Sequence, residues 1–323
     1  MGVKGKSVLI VGAGISGLTV ATVLKEAGAR VKVLEKGRGF GGRMATRRMA
    51  GGRLDHGAQF MTVRTEDWSR WVESWKEAGI IREWFRSAPW DSTSSEFSRY
   101  CGVEGMTDIP KALAADLDVE RSVRVESVSW KSGGWTVKSE GGRIFSADIL
   151  ILTPPIPQTV ALLRGAEISL PLMEWERLCA MDYDPCLTGL LILEGPSGLP
   201  EPGGLKLTEG PLAWIGDNQR KGISLEVPAV TVHSTPEFAR RYWDAEDDER
   251  LPLLIGAAEK LLQAKVASGA VHRWRYNVPK EYFGSPYYWS DAFALGMAGD
   301  GFGGGRIEAA ALSGFSLGRK LAE

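Results

Sequence analysis

Four residues near the N-terminus have the types and spacing to hold a dinucleotide. Gly12, Gly14 and Gly17 fall in the order GxGxxG within VLIVGAGISGL, and Glu35 lies 18 residues beyond Gly17. In such a motif Gly12 permits a tight turn, Gly14 lets a diphosphate approach the backbone, and Gly17 lets a helix lie close to a sheet. A carboxylate where Glu35 stands binds both hydroxyls of a ribose. The glycines alone would be a weak signal; the acid at this distance strengthens it.

The elements that must position these groups are legible around them. Residues 6–11 (KSVLIV) read as a short buried strand, Leu18, Ala21, Val23, Leu24 and Ala27 follow at helical spacing up to Gly28, and residues 30–36 (RVKVLEK) read as a second strand. Strand, helix, strand requires a parallel sheet with helical cover. Thr65, Glu66 and Asp67 open a helix whose Trp68, Trp71, Val72 and Trp75 face reads as core. Between 123 and 153, three strand-like runs joined by SGG and EGGR form a small antiparallel excursion. Strands are expected at 186–193, 213–216, 229–233 and 294–300. Residues 195–204 read as a loop that serves as a flap, and helices are expected from the acidic run at 244–249 through about 264 and over 305–321.

Composition narrows the function classes. With 39 basic and 40 acidic residues the net charge is −1, which disfavours nucleic acid and anionic membrane as partners, even though arginines cluster at 38, 43, 47, 48 and 53. No apolar run approaches the length of a membrane helix. Cys101, Cys179 and Cys186 are odd in number and lack zinc spacing, so neither a disulfide framework nor a metal site is expected, and a cytoplasmic location fits. Thirteen of the 40 glycines lie in residues 1–57 and eight in residues 295–318. Something at both ends of the chain needs bare backbone.

Glu35 runs on into KGRGFGGRMATRR and then LDHGAQF, and the chain ends in GMAGDGFGGGRIEAAALSG. These segments resemble the FAD-binding segments of the flavin amine oxidase superfamily. With VEGMTDIPKALA, ILTPPIPQTV, WIGDNQRKG, VTVHSTPEF and HRWRYNVP, the likeness runs nearly end to end and is greatest to the renalase family. It implies an α/β fold in which a Rossmann-like FAD-binding domain of the p-hydroxybenzoate hydroxylase type (1–64, 101–163 and 294–323) interleaves with a smaller α+β substrate domain (65–100 and 164–293). It further implies FAD as cofactor, with contacts from Gly12, Gly14, Ile15, Ser16, Gly17, Glu35, Lys36, Gly42, Arg43, Met44, Gln59, Phe60, Val123, Thr153, Asp300, Arg306 and Ile307. The glycine clusters at 12–17, 37–57 and 296–305 would then be three surfaces around one FAD.

The resemblance implies an oxidase that takes a hydride from the 2- or 6-dihydro isomers of NAD(P)H, releases NAD(P)+ and reduces O2 to hydrogen peroxide. A dihydropyridine already carries a hydride-ready C–H bond, so the protein need only stack and orient a ring. Trp214, Asn218, His233, Trp274, Tyr276, Trp289 and Phe302 are the candidate pocket residues, mostly aromatic and each also compatible with a packing role. Arg273 or Lys221 would meet a substrate phosphate, and His56 would orient the flavin loop. Two alternatives stay open: an oxidase of a small amine, for which Lys221 is the loosely placed lysine candidate, and a flavin-fold protein with a non-catalytic binding role.

Overall fold

The computed structural model describes residues 2–86 and 97–323. Residues 87–96, part of the 65–100 segment assigned above to the substrate domain, lie outside the described residues. Contacts divide the chain into two compact units, one comprising Met1–Gly42, Pro110–Tyr183 and Val278–Glu323, the other Arg43–Ile109 and Asp184–Asn277.

The first unit is the Rossmann-like one. Its six-stranded sheet runs in the order Tyr288–Ser290, Leu295–Met297, Ile149–Leu152, Ser7–Val11, Arg30–Glu35 and Asp118–Arg121. Every pairing is parallel except that of the edge strand Tyr288–Ser290. Registers place Val11 beside Leu34 and Leu152, and Leu152 beside Met297, so four strands end level with one another. Just beyond those ends come Gly12, Glu35, Thr153 and the turn leading to Asp300. Ligands of open α/β sheets bind at this carboxyl edge. The excursion between 123 and 153 forms a separate three-stranded antiparallel sheet of Val125–Lys131, Gly134–Ser139 and Ile144–Ala147, while the buried run at its end, Ile149–Leu152, belongs to the six-stranded sheet.

The first helix, Ile15–Glu26, and the last, Ile307–Ala322, cover this unit together. At Gly314 a Cβ would fall 2.2 Å from the Ser16 carbonyl oxygen. That glycine serves helix packing, so part of the C-terminal glycine excess has a cause other than the cofactor.

The second unit is built on a five-stranded sheet in the order Gly204–Lys206, Leu212–Asp217, Ala229–Ser234, Tyr183–Leu193, Val266–Pro279. Side chains alternate across it. Leu191, Ile215, Val230 and Val232 pack with Ala239, Leu254 and Ala258 of two covering helices. On the opposite face Leu190, Ile192 and Ala229 meet Leu54, which belongs to the strand pair Thr46–Met49 and Gly52–Asp55.

The structure revises several expectations. Residues 43–64, with Leu54 buried in its core, and residues 101–109 belong to the second unit, while residues 164–183 and 278–293 belong to the first. There Tyr183 donates to Asp300 Oδ1 (3.5 Å) and Phe283 packs on Phe302 with ring centroids 5.1 Å apart. The two units are nearly equal in length. The helix expected through about 264 is Asp247–Ala258, because the next residue, Glu259, turns its carboxylate to accept from Val266 N (3.0 Å) and starts the final strand of the second sheet. That 14-residue strand was not foreseen, although exposed Arg273 and Arg275 alternate in it with half-buried His272, Trp274 and Tyr276.

Candidate active site

In the first unit the glycine motif forms a turn and an open cradle. Gly12 has φ +105°, and a Cβ at Gly17 would lie 2.0 Å from the Gly12 carbonyl oxygen. Thr153 closes the back of the turn by donating to Val11 O (2.9 Å). Gly14 caps the first helix without a side-chain bond, and a Cβ there would meet nothing within 4 Å. Ile15 and Ser16 begin that helix, and Ser16 Oγ is buried with no hydrogen-bond partner. An orphaned hydroxyl beside uncapped helix N–H groups is the donor set an anionic diphosphate needs.

Glu35 is buried, accepting from Ala13 N (2.8 Å) and Gly37 N (2.6 Å), and its backbone carbonyl accepts from buried Val123 (2.9 Å). A carboxylate has lone pairs beyond these two bonds, so hydroxyl donors can still be accepted. These features fit the dinucleotide part of FAD. Lys36 lies outside them, reaching Gln158 Oε1 (3.3 Å), and Gly42 ends the unit at φ +53°.

Asp300 follows the strand Leu295–Met297, and the long C-terminal helix begins beyond the glycines, close to the expected 305–321. Asp300 opens a single four-residue turn, Asp300–Gly303, because the glycine run breaks the helix; the long helix starts at Ile307 with Arg306 as its N-cap and no side-chain capping bond. Phe302 and Arg306 line a cleft of about 380 Å³ with Val278 and Tyr282. Trp289 sits on the edge strand of the first unit's sheet and donates to Asp291 (2.8 Å). Phe302 and Trp289 both belong to the first unit.

The aromatic cluster of the second unit is formed by Phe60, Trp84 and Trp214. Phe60 lies 5.9 Å from Trp214 and 6.4 Å from Trp84, and Trp84 lies 6.4 Å from Trp214, centroid to centroid. All three rings are half-buried, while Phe85 beside them is buried. The sheet sets the geometry: Trp214 and His233 are cross-strand partners, and His233 Nε2 lies 3.5 Å from Gln59 Nε2. Gln59 donates to Asp55 O (2.6 Å) and Gly57 O (3.1 Å), leaving its buried Oε1 without a partner. Trp84 was missed in the sequence. In IREWF only the alternation of charged and aromatic residues hinted at a strand with one ring turned inward.

A second aromatic group lies on the final strand of the same sheet. His56 stacks on Trp274 (5.3 Å, 9° between planes), His272 meets both edge-on, and Trp274 Nε1 donates to His56 O (2.7 Å). Tyr276 follows on the same face, and its carbonyl and that of Asn277 accept from Arg43 (3.2 and 3.0 Å). Met44 is buried next to Arg43, its carbonyl accepting from Thr107.

The chain's three histidines all resist protonation. Burial, then His272, Arg47 and His233, take His56 down to about 3; burial and Lys221 take His233 down to about 4; burial, Arg47 and Arg273 lower His272. They are neutral at pH 7.

Two candidates prove to be structural. Asn218 is fully buried, donating to Thr231 Oγ1 (3.0 Å) and accepting from Asp55 N (3.4 Å), so its amide is committed to the protein. Lys221 is buried too, donating to Asp55 Oδ2 (2.6 Å), and so is not a phosphate ligand. Arg273 lies across the strand from His272 and Trp274. Among the described residues no group of three or more His, Cys, Asp or Glu is placed to hold a metal, and no helix is long and apolar enough to cross a membrane.

Residues 10–75 match the model of the NAD(P)-binding Rossmann-like domain, and residues 84–315 match that of flavin containing amine oxidoreductase. The chain is 23% identical over 288 residues to renalase from Mus musculus, covering 84% of each. In fold it is similar to a putative protoporphyrinogen oxidase from Exiguobacterium sp. 255-15 (TM-score 0.77, 14% identity, 99% of each chain). Putrescine oxidase bound to putrescine is another neighbour (TM-score 0.73, 15% identity, 98% of this chain and 99% of that one).

Proposed function

The chain belongs to the flavin-containing amine oxidoreductase family, and on that premise we propose that it is an oxidase of dihydronicotinamides, the 2- or 6-dihydro isomers of NAD(P)H. Dependence on FAD and oxidoreductase chemistry come with the family; the substrate is our inference. Of the two units, the first would hold the dinucleotide. Gly12, Gly14, Ile15, Ser16 and Gly17 would lie along the diphosphate, with Glu35 and Lys36 at the ribose and Val123 by the adenine. Thr153, Asp300, Arg306 and Ile307 would serve the ribityl chain and flavin, as would Gly42, Arg43, Met44, Gln59 and Phe60. When bound, FAD would supply the hydride acceptor, with O2 as the terminal oxidant and hydrogen peroxide as its product.

The observation that carries the substrate assignment is the chemistry of the aromatic cluster. Phe60, Trp84 and Trp214 offer ring surface, and His233 and Gln59 offer neutral hydrogen-bonding groups. Such a site can orient a planar ring and exclude water, but supplies no charged acid or base. A dihydropyridine needs none, because no proton moves when its hydride leaves. An amine must lose a proton to react, and Lys221, the lysine considered for that role, is committed to Asp55.

The test is peroxide release by the purified flavoprotein. Isomeric dihydronicotinamides should be turned over, with putrescine and monoamines inert. Turnover of amines but not of dihydronicotinamides would assign the chain to amine oxidation instead.

A further inference from the structure

Lys221 is the most unusual side chain near the aromatic cluster. It is 1% exposed, and its partner Asp55 is fully buried. The ammonium lies 5.1 Å from the centroid of the Trp84 ring. Asp55 is fixed by further bonds, its Oδ1 accepting from Thr46 Oγ1 (2.5 Å) and Met106 N (2.9 Å). Arg82 adds a second cation by donating to the Lys221 carbonyl. Trp84 is held at its rim too, its Nε1 donating to Pro202 O (3.0 Å) in the 195–204 loop.

We propose that Lys221 is a specificity-determining residue that, acting through Trp84, makes the aromatic cluster unfavourable to cations and leaves it open to neutral rings. This rests on taking Phe60, Trp84 and Trp214 as the substrate's ring site. An indole face attracts a cation through its quadrupole, and here a buried ammonium already uses that attraction. That ammonium is held 2.6 Å from Asp55, so the pair is neutral as a whole and its effect on a second cation is carried by the ring whose attraction it uses. The field reaches His233, where Lys221 adds to burial in lowering the pKa.

The consequence for substrate choice is direct. A primary amine arrives as an ammonium at neutral pH and is penalised. A dihydropyridine arrives neutral; on losing a hydride, its C–H bond breaking with both electrons, it becomes a pyridinium cation. The same feature that admits the substrate therefore favours departure of the product.

Two probes of one ring, nicotinamide (neutral) and 1-methylnicotinamide (cationic), test this by calorimetric titration of the flavin-loaded protein, which needs no turnover. The wild type should bind the neutral probe more tightly. In Lys221→Met/Asp55→Asn, which removes the pair without leaving a lone charge, the affinity ratio should move toward the cation by about fivefold or more. The same double change in a Trp84→Leu background should move it by less than about twofold, because the effect travels through the ring. Lys221→Gln/Asp55→Asn, closer in shape to the native pair, should give the same shift and keeps the test available if the first double variant unfolds. A ratio unchanged in a folded variant that lacks the charged pair overturns the role of Lys221. Should Trp84→Leu and Trp214→Leu both leave the affinity of each probe unaltered, the cluster is not the ring site, and the proposal falls with that assignment.

Discussion

Lys221 and Asp55 form an ion pair of 2.6 Å in which neither side chain reaches solvent. Removing one partner strands a buried charge, which typically costs about 3–5 kcal/mol, whereas replacing both costs far less. Lys221→Met should therefore lower the urea midpoint sharply, and Lys221→Met/Asp55→Asn should recover more than half of the loss. Equal midpoints for the single and double variants would contradict the pairing.

Ser16 offers a cleaner probe of the cofactor site. Its hydroxyl is buried without a partner, so in the flavin-free protein it carries a desolvation cost and no bond to offset it. Ser16→Ala should leave the stability of the apoprotein unchanged or slightly higher. FAD affinity should fall about tenfold, the loss of a hydrogen bond of roughly 1.4 kcal/mol to a charged group. Flavin retention on gel filtration together with apoprotein melting separates the two effects.

The histidines set an acid limit. His56 and His233 have folded-state pKa values of about 3 and about 4, below the ordinary 6.5, so the unfolded chain binds more protons under mildly acid conditions. Their contribution to stability is complete above pH 6.5 and is lost as pH falls through the interval from 6.5 toward those lower values. Each should add a slope of up to about 1.4 kcal/mol per pH unit there. Chemical denaturation between pH 7 and pH 4 should show a shallower decline in His56→Phe, which keeps the stack on Trp274 and removes the titration.

The aromatic cluster should govern binding more than chemistry. Trp214→Leu removes one ring of the three and should raise KM for a dihydronicotinamide about tenfold, as loss of a ring stack of roughly 1–2 kcal/mol would. Flavin reduction at saturation should change by less than about threefold. A fall confined to the reduction rate would place Trp214 elsewhere in the mechanism.

How much of this could be seen in the sequence differs between the two units. Gly12, Gly17 and Glu35 were legible because a tight turn and a strand-end carboxylate are local features with fixed spacing, and parallel registers carry Thr153 and Asp300 to the same sheet edge. In the second unit the pairing of Trp214 with His233 and the contact of Trp84 with Lys221 join residues far apart in the chain, which no local pattern encodes. Asn218 and Lys221 stand in WIGDNQRKG, one of the segments that carries the family likeness, and nothing local in it shows that both side chains are buried. The buried Asp55 that claims both lies more than 160 residues away. Trp289 lies on a three-residue edge strand of the first unit, too short for a local pattern to reveal.

Anaerobic reduction of the bound flavin tests the central claim most directly. Mixed with 6-dihydro-NAD in the absence of O2, the flavin should bleach within seconds, while equal concentrations of putrescine or a monoamine leave its spectrum unchanged. Rapid bleaching by an amine, with none by either isomeric dihydronicotinamide, would contradict the account.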